Sequence, residues 1–187
     1  MEKIMFNSKY NPDKTNFEKH SGTPNLFFDS RDNISFKKDD NNIIYKVTGT
    51  QLPAMVDGAF ANLFLTKDNV REPHWHPNAW ELNVVVSGKI IFSILDPNTK
   101  QVHHYPATNG QVVFIPMGWL HWVTAVSDKV HLHIFLNNEH FETLDGSDML
   151  RLMSPELFQV TYNIDAKQIS EALAPITKSV VIGPPIS

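Results

Sequence analysis

The chain of 187 residues contains no cysteine. That absence removes disulfide scaffolds, thiolate zinc sites, iron–sulfur clusters and cysteine nucleophiles together, and leaves only nitrogen and oxygen ligands for any metal. No apolar run approaches the length of a membrane span, and the N-terminus lacks the apolar stretch of a secretory signal, so the expectation is a soluble, cytoplasmic protein with no membrane partner. Basic residues number 16 against 20 acidic ones, a formal charge of −4, and no dense basic run occurs. A nucleic-acid partner is therefore not expected. Internal repeats and low-complexity segments are also lacking. What is present is apolar and aromatic: 42 % hydrophobic residues with 12 Phe and 4 Trp, sufficient for a single core in a chain of one-domain length.

From Ile43 to Leu136 short β-branched and aromatic runs alternate with turn residues at Ser87-Gly88, Asp96-Pro97-Asn98, Asn109-Gly110 and Ser127-Asp128. This pattern predicts an all-β, antiparallel architecture, a sandwich or small barrel including the double-sheet jelly roll, with the short connections forming hairpins. Residues 1–42 are polar and read as an N-terminal arm, 43–137 as the β-barrel, and 138–187 as a C-terminal extension with short helices. Within that extension Asp165 is placed to cap a helix over Ala166–Leu173.

The stretch from His74 to Glu81 carries the chemistry. On a strand, residues two apart share a face, so His74 and His76 project together. Pro77 and Asn78 then favour a turn that returns Glu81 beside them. A second segment, Gly110 to His121, runs as an apolar strand into Pro116-x-Gly118 and delivers His121 at the start of the next strand. Three imidazoles and one carboxylate form a set suited to Mn, Fe, Co, Ni or Zn with positions left for substrate.

These two segments resemble the motifs of the cupins. His74, His76, Glu81 and Gly88 fall on the first motif, and Gly110, Pro116, Gly118 and His121 on the second, with every internal spacing kept. Asp68 and Ala125 stand where the opening glycine of the first motif and the closing asparagine of the second would be. The resemblance implies a double-stranded β-helix (jelly-roll) barrel with a divalent first-row metal inside it, manganese first and iron, nickel, cobalt or zinc as alternatives. Arg71, three residues before His74, and the stretch from Phe135 through Phe158 are similar to oxalate decarboxylases and related cupins. There the arginine holds a substrate carboxylate and a lid glutamate, which Glu142 would match, supplies a proton.

The expectation is a mononuclear metalloenzyme acting on a small carboxylate or oxygenated metabolite, in the manner of oxalate decarboxylase. A dioxygenase or isomerase on the same ligands, and a binding or sensing module without turnover, are the other readings. Arg71 reads equally as one half of a surface or strand-end salt bridge. Trp75 and Trp122, adjacent to ligand positions, are expected on the outside of the barrel, where they point to a homodimer. His131 and His133 read as structural. Val84, Val86, Ile91, Ile94, Val113, Ile115 and Phe135 are expected in the core or lining the pocket.

Overall fold

The computed structural model describes residues 25–185. After a short 3-10 turn at Ser30–Asp32, the strands are β1 (Ile34–Asp39), β2 (Asn42–Val47), β3 (Ala59–Leu65), β4 (Val70–Trp75), β5 (Glu81–Ser87), β6 (Lys89–Asp96), β7 (Gln101–Thr108), β8 (Val112–Ile115), β9 (His121–Ala125) and β10 (Val130–Leu136). Then come β11 (Leu144–Asp145), α1 (Gly146–Leu152), α2 (Pro155–Tyr162), α3 (Ala166–Leu173) and β12 (Ile182–Gly183). One sheet runs β1-β2-β3-β10-β5-β8 and the facing sheet β11-β4-β9-β6-β7, with β12 also on β4; all pairings are antiparallel.

The predicted jelly roll is present, but its connections differ from the expected run of hairpins. Asp96-Pro97-Asn98 does turn a hairpin, between β6 and β7. Ser87-Gly88, Asn109-Gly110 and Ser127-Asp128 instead carry the chain from one sheet to the other. A short connection limits distance, not which sheet the next strand joins. Gly88 shows why such a corner needs glycine: its φ is +90°, and a Cβ there would overlap the carbonyl of Lys129.

Between the sheets lies a core that includes Leu63, Leu65, Val85, Ile90, Phe92, Ile94, Ile115, Val123 and Leu132. Each such side chain contributes about 1.5–3 kcal/mol by leaving water. Ile94 and Ile115 fall in this core and Val113 packs against it, as expected. Val84, Val86, Ile91 and Phe135 do not; they sit partly or fully exposed on the outer faces. Alternation explains the correction, because Glu81, Asn83 and Val85 point inward from β5 and send Leu82, Val84 and Val86 out.

The boundaries drawn from composition also shift. Residues 34–42, assigned to the arm, form β1, the turn after it and the first residue of β2, and so belong to the first sheet; residues 1–24 lie outside the described residues. The extension supplies β11 and β12 to the second sheet as well as helices. Pro155 follows the Ser154 cap of α2, Asn163 ends it in the left-handed region, and Asp165 caps α3 through the Gln168 N–H at 2.9 Å. Trp75 and Trp122 are half-buried, with Trp75 lining a groove on the outer side together with Leu150 and Ile176. Among the described residues no helix is long and apolar enough to cross a membrane.

Candidate metal centre

His74 and His121 are register partners on β4 and β9, and His76 follows at the end of β4. Glu81 opens β5 in the facing sheet. The Gly118 N–H donates to the His76 carbonyl at 2.9 Å, tying the two sequence segments together. As a result His74, His76, Glu81 and His121, all buried, bring their ligand atoms within 4.8 Å of one another.

The orientation of each ring is set from behind. The Nδ1–H of His74 donates to the Glu72 carbonyl (2.7 Å), that of His76 to the Glu142 carbonyl (2.7 Å) and that of His121 to the Trp119 carbonyl (2.9 Å). A carbonyl only accepts, so each Nδ1 carries a proton and each ring turns its Nε2 to the centre. His76 Nε2 lies 2.7 Å and His121 Nε2 3.6 Å from the same Glu81 oxygen. His121 Nε2 is buried without a hydrogen-bond partner. Three Nε2 atoms converging on one buried carboxylate, one of them without a hydrogen-bond partner, make an N3O donor set that fits a divalent first-row ion. The other Glu81 oxygen accepts from Asn83 Nδ2 at 2.6 Å. Asn83 was missed in the sequence, although its place two residues after Glu81 on one strand face was the signal.

Electrostatics favour an ionised Glu81 carboxylate and a neutral His74. Burial holds His74 well below the ordinary 6.5, and the positive charge of Arg71 adds to this. Glu81 is raised by its own burial, but His121 and His76 outweigh that and keep it well below 4.5. The unfolded chain therefore takes up protons that the fold refuses, on His74 as pH falls through 6.5 and on Glu81 below 4.5. Stability of the metal-free protein is expected to be present at pH 7 and to fall toward pH 4. Urea midpoints across this range check it; a midpoint that rises on acidification would contradict the assignment.

Arg71 reaches the same cavity because the β4–β9 register shifts between Arg71 and His74, which puts residues three apart on one face. It forms the strand-end salt bridge of the other reading, but buried and not at the surface. Its guanidinium is buried, donating to Asp145 Oδ1 at 2.7 Å and to the Val181 carbonyl at 3.1 Å. Glu142 is placed otherwise than a proton donor would need: its side chain is exposed, and Phe141 and Thr143 on either side line the cavity instead. What Glu142 supplies is the carbonyl that holds His76. His131 and His133 lie on the outer face, where His131 stacks on Phe64 at 4.2 Å and meets Asn62 Oδ1 at 2.9 Å, in keeping with a structural role.

A family model described as Cupin matches residues 28–170. The chain is a cupin. Among curated proteins, the oxalate decarboxylase OxdC of Bacillus subtilis is 28 % identical over 108 residues, 56 % of this cupin and 27 % of that protein. The oxalate decarboxylase of Arthroderma benhamiae is 28 % identical over 96 residues, 51 % of this cupin and 22 % of the relative. The solved structure of oxalate decarboxylase from Bacillus subtilis at pH 4.6 superposes with a TM-score of 0.77 at 20 % identity, covering 90 % of this cupin and 44 % of that chain. The coconut allergen cocosin gives 0.76 at 17 % identity, covering 85 % and 43 %. This cupin thus spans less than half the length of the relatives it matches, and the structural likenesses show the fold.

Proposed function

We propose that this cupin is a mononuclear metal-dependent enzyme acting on a small carboxylate, with oxalate-decarboxylase-like chemistry as the first activity to test. The convergence of three Nε2 atoms and the Glu81 carboxylate carries the reading. When bound, a divalent ion, manganese in the first instance, would supply a Lewis acid for a substrate oxygen. His74, His76, Glu81 and His121 would hold it. Arg71, oriented by Asp145, would direct its remaining N–H donors to the substrate carboxylate. Phe141 and Leu136 form part of the apolar cavity wall. The curated resemblance to oxalate decarboxylases supports the substrate class.

The test pairs metal analysis of the purified protein with assays of CO2 release and O2 uptake on oxalate and other small carboxylates. Near-stoichiometric metal with turnover supports the enzyme; metal with no turnover on any of them favours a binding module; no metal after growth in supplemented medium overturns the reading. Glu142→Gln belongs in the same assay. Because the variant keeps the carbonyl that holds His76, less than about a tenfold change is expected, whereas loss of a general acid would cost about 10²–10⁴-fold and restore Glu142 as the proton donor.

A homodimer is proposed as the working assembly. Leu152 of α1 and Leu157, Val160 and Tyr162 of α2 are exposed, and apolar side chains exposed in this number are suited to cover by a second copy. Sedimentation equilibrium is expected to give twice the chain mass.

A further inference from the structure

The cavity beside the metal ligands has a volume of about 300 Å³. That is the lower end of the range, about 300–1,000 Å³, in which pockets enclose whole organic ligands. Its walls include Phe36, Ile44, Leu63, Ile134, Leu136 and Phe141. Oxalate is two carboxylates joined by one bond and has no surface to offer such walls. Two cations line the cavity, Arg71 and Lys46. They are not equivalent. Arg71 is already paired with Asp145. The lysine ion pairs among the described residues are those of Lys37 and Lys167, while Lys46 Nζ stands 5.0 Å over the ring of Phe141. Phe141 in turn lies against His76, with ring centroids 5.4 Å apart. Lys46 is therefore across one aromatic ring from the His/Glu cluster, on strand β2 of the first sheet, while Arg71 approaches from β4 of the second.

We infer that Lys46 anchors the carboxylate of a substrate with an apolar body, whose other, oxygen-bearing end reaches the His/Glu cluster. The inference rests on the metal-dependent carboxylate reading above and narrows its substrate class. Lys46 is a partly buried residue whose ammonium has no carboxylate partner among the described residues, which leaves it ready to receive an anion, and the apolar walls of the cavity reward burial of carbon rather than of a second charge. The ring of Phe141 favours a cation at that spot and keeps Lys46 directed into the cavity.

The test is calorimetric titration of the full chain, with its metal content measured, against oxalate, hexanoate and adipate. Hexanoate and adipate are expected to bind about tenfold or more tightly than oxalate, and Lys46→Met to remove about that factor for both while leaving oxalate binding and metal content unchanged. Lys46→Arg should recover part of the loss. Oxalate binding tightest, or Lys46→Met binding hexanoate and adipate as the parent does, overturns the inference whatever the metal content. Lys46-dependent binding in protein that holds no metal would support it and remove the metal reading alone.

Discussion

Asp145→Ala is expected to destabilise the fold by about 3–5 kcal/mol, because it leaves the Arg71 guanidinium buried and without its carboxylate. The pair is 2.7 Å apart, with side-chain exposures of 10 % and 12 %, so little solvent is at hand to replace the lost partner. In a domain of this size the loss corresponds to a fall in Tm of roughly 6–20 °C. Arg71→Ala should cost a similar amount by stranding Asp145. Any fall in its turnover must therefore be measured well below the variant's own melting transition, a precaution that reading Arg71 as a free substrate clamp would miss. The double variant Arg71→Met, Asp145→Leu should recover most of the stability while losing activity, since apolar replacement of a buried pair is often neutral. The double alanine variant Arg71→Ala, Asp145→Ala closes a cycle with the parent and the two single alanine variants, and denaturation of all four gives the coupling energy. A single-variant loss under about 1 kcal/mol would place the pair in the class of exposed ion pairs and remove the basis for calling it structural.

Glu81→Gln is expected to reduce metal content from near one per chain to near zero after dialysis. Loss of groups that merely support ligands typically costs about 10–100-fold in affinity, and removing the one anionic ligand should exceed that. The fold should survive. A glutamine amide at this position can donate to the lone pair of His76 Nε2, 2.7 Å from the present carboxylate oxygen, and so quiets the centre without a cation. The melting curve then separates the two effects. Metal at a hundredfold excess over its dissociation constant should stabilise the parent by about 2.7 kcal/mol and leave the variant unmoved. Without metal, the variant should melt at or above the parent. Retention of stoichiometric metal by Glu81→Gln would mean that the first coordination sphere is built from other groups.

How much of this was legible in the chain follows from the range of the interactions concerned. Two-residue periodicity is local, so His74 and His76 on one face, the turn returning Glu81, the strand runs and the caps of the terminal helices are readable from neighbours in sequence. The phase of β5 was legible as well: once Glu81 is inward, Val84 and Val86 must be outward. The phase of β10 was legible too: Phe135 shares a face with the polar His131 and His133, against Leu132, Ile134 and Leu136 on the other.

Other features depend on pairings between distant segments. Strict alternation separates Arg71 from His74; only the register shift against β9 brings them together. Asp145 becomes the partner of Arg71 because β11 pairs with β4 across 74 residues of chain. Lys46 joins the cavity because β2 and β4 lie in facing sheets, and Glu142 turns outward because Phe141 and Thr143 take the inward positions. The sequence by itself determined the fold class, the ligand types and their spacing, since these rest on contacts and geometry within a few residues. Which charges the cavity leaves free and which it pairs was decided only by tertiary structure, because a Coulomb pair depends on distance in space and on exclusion of water, and neither is written in order along the chain.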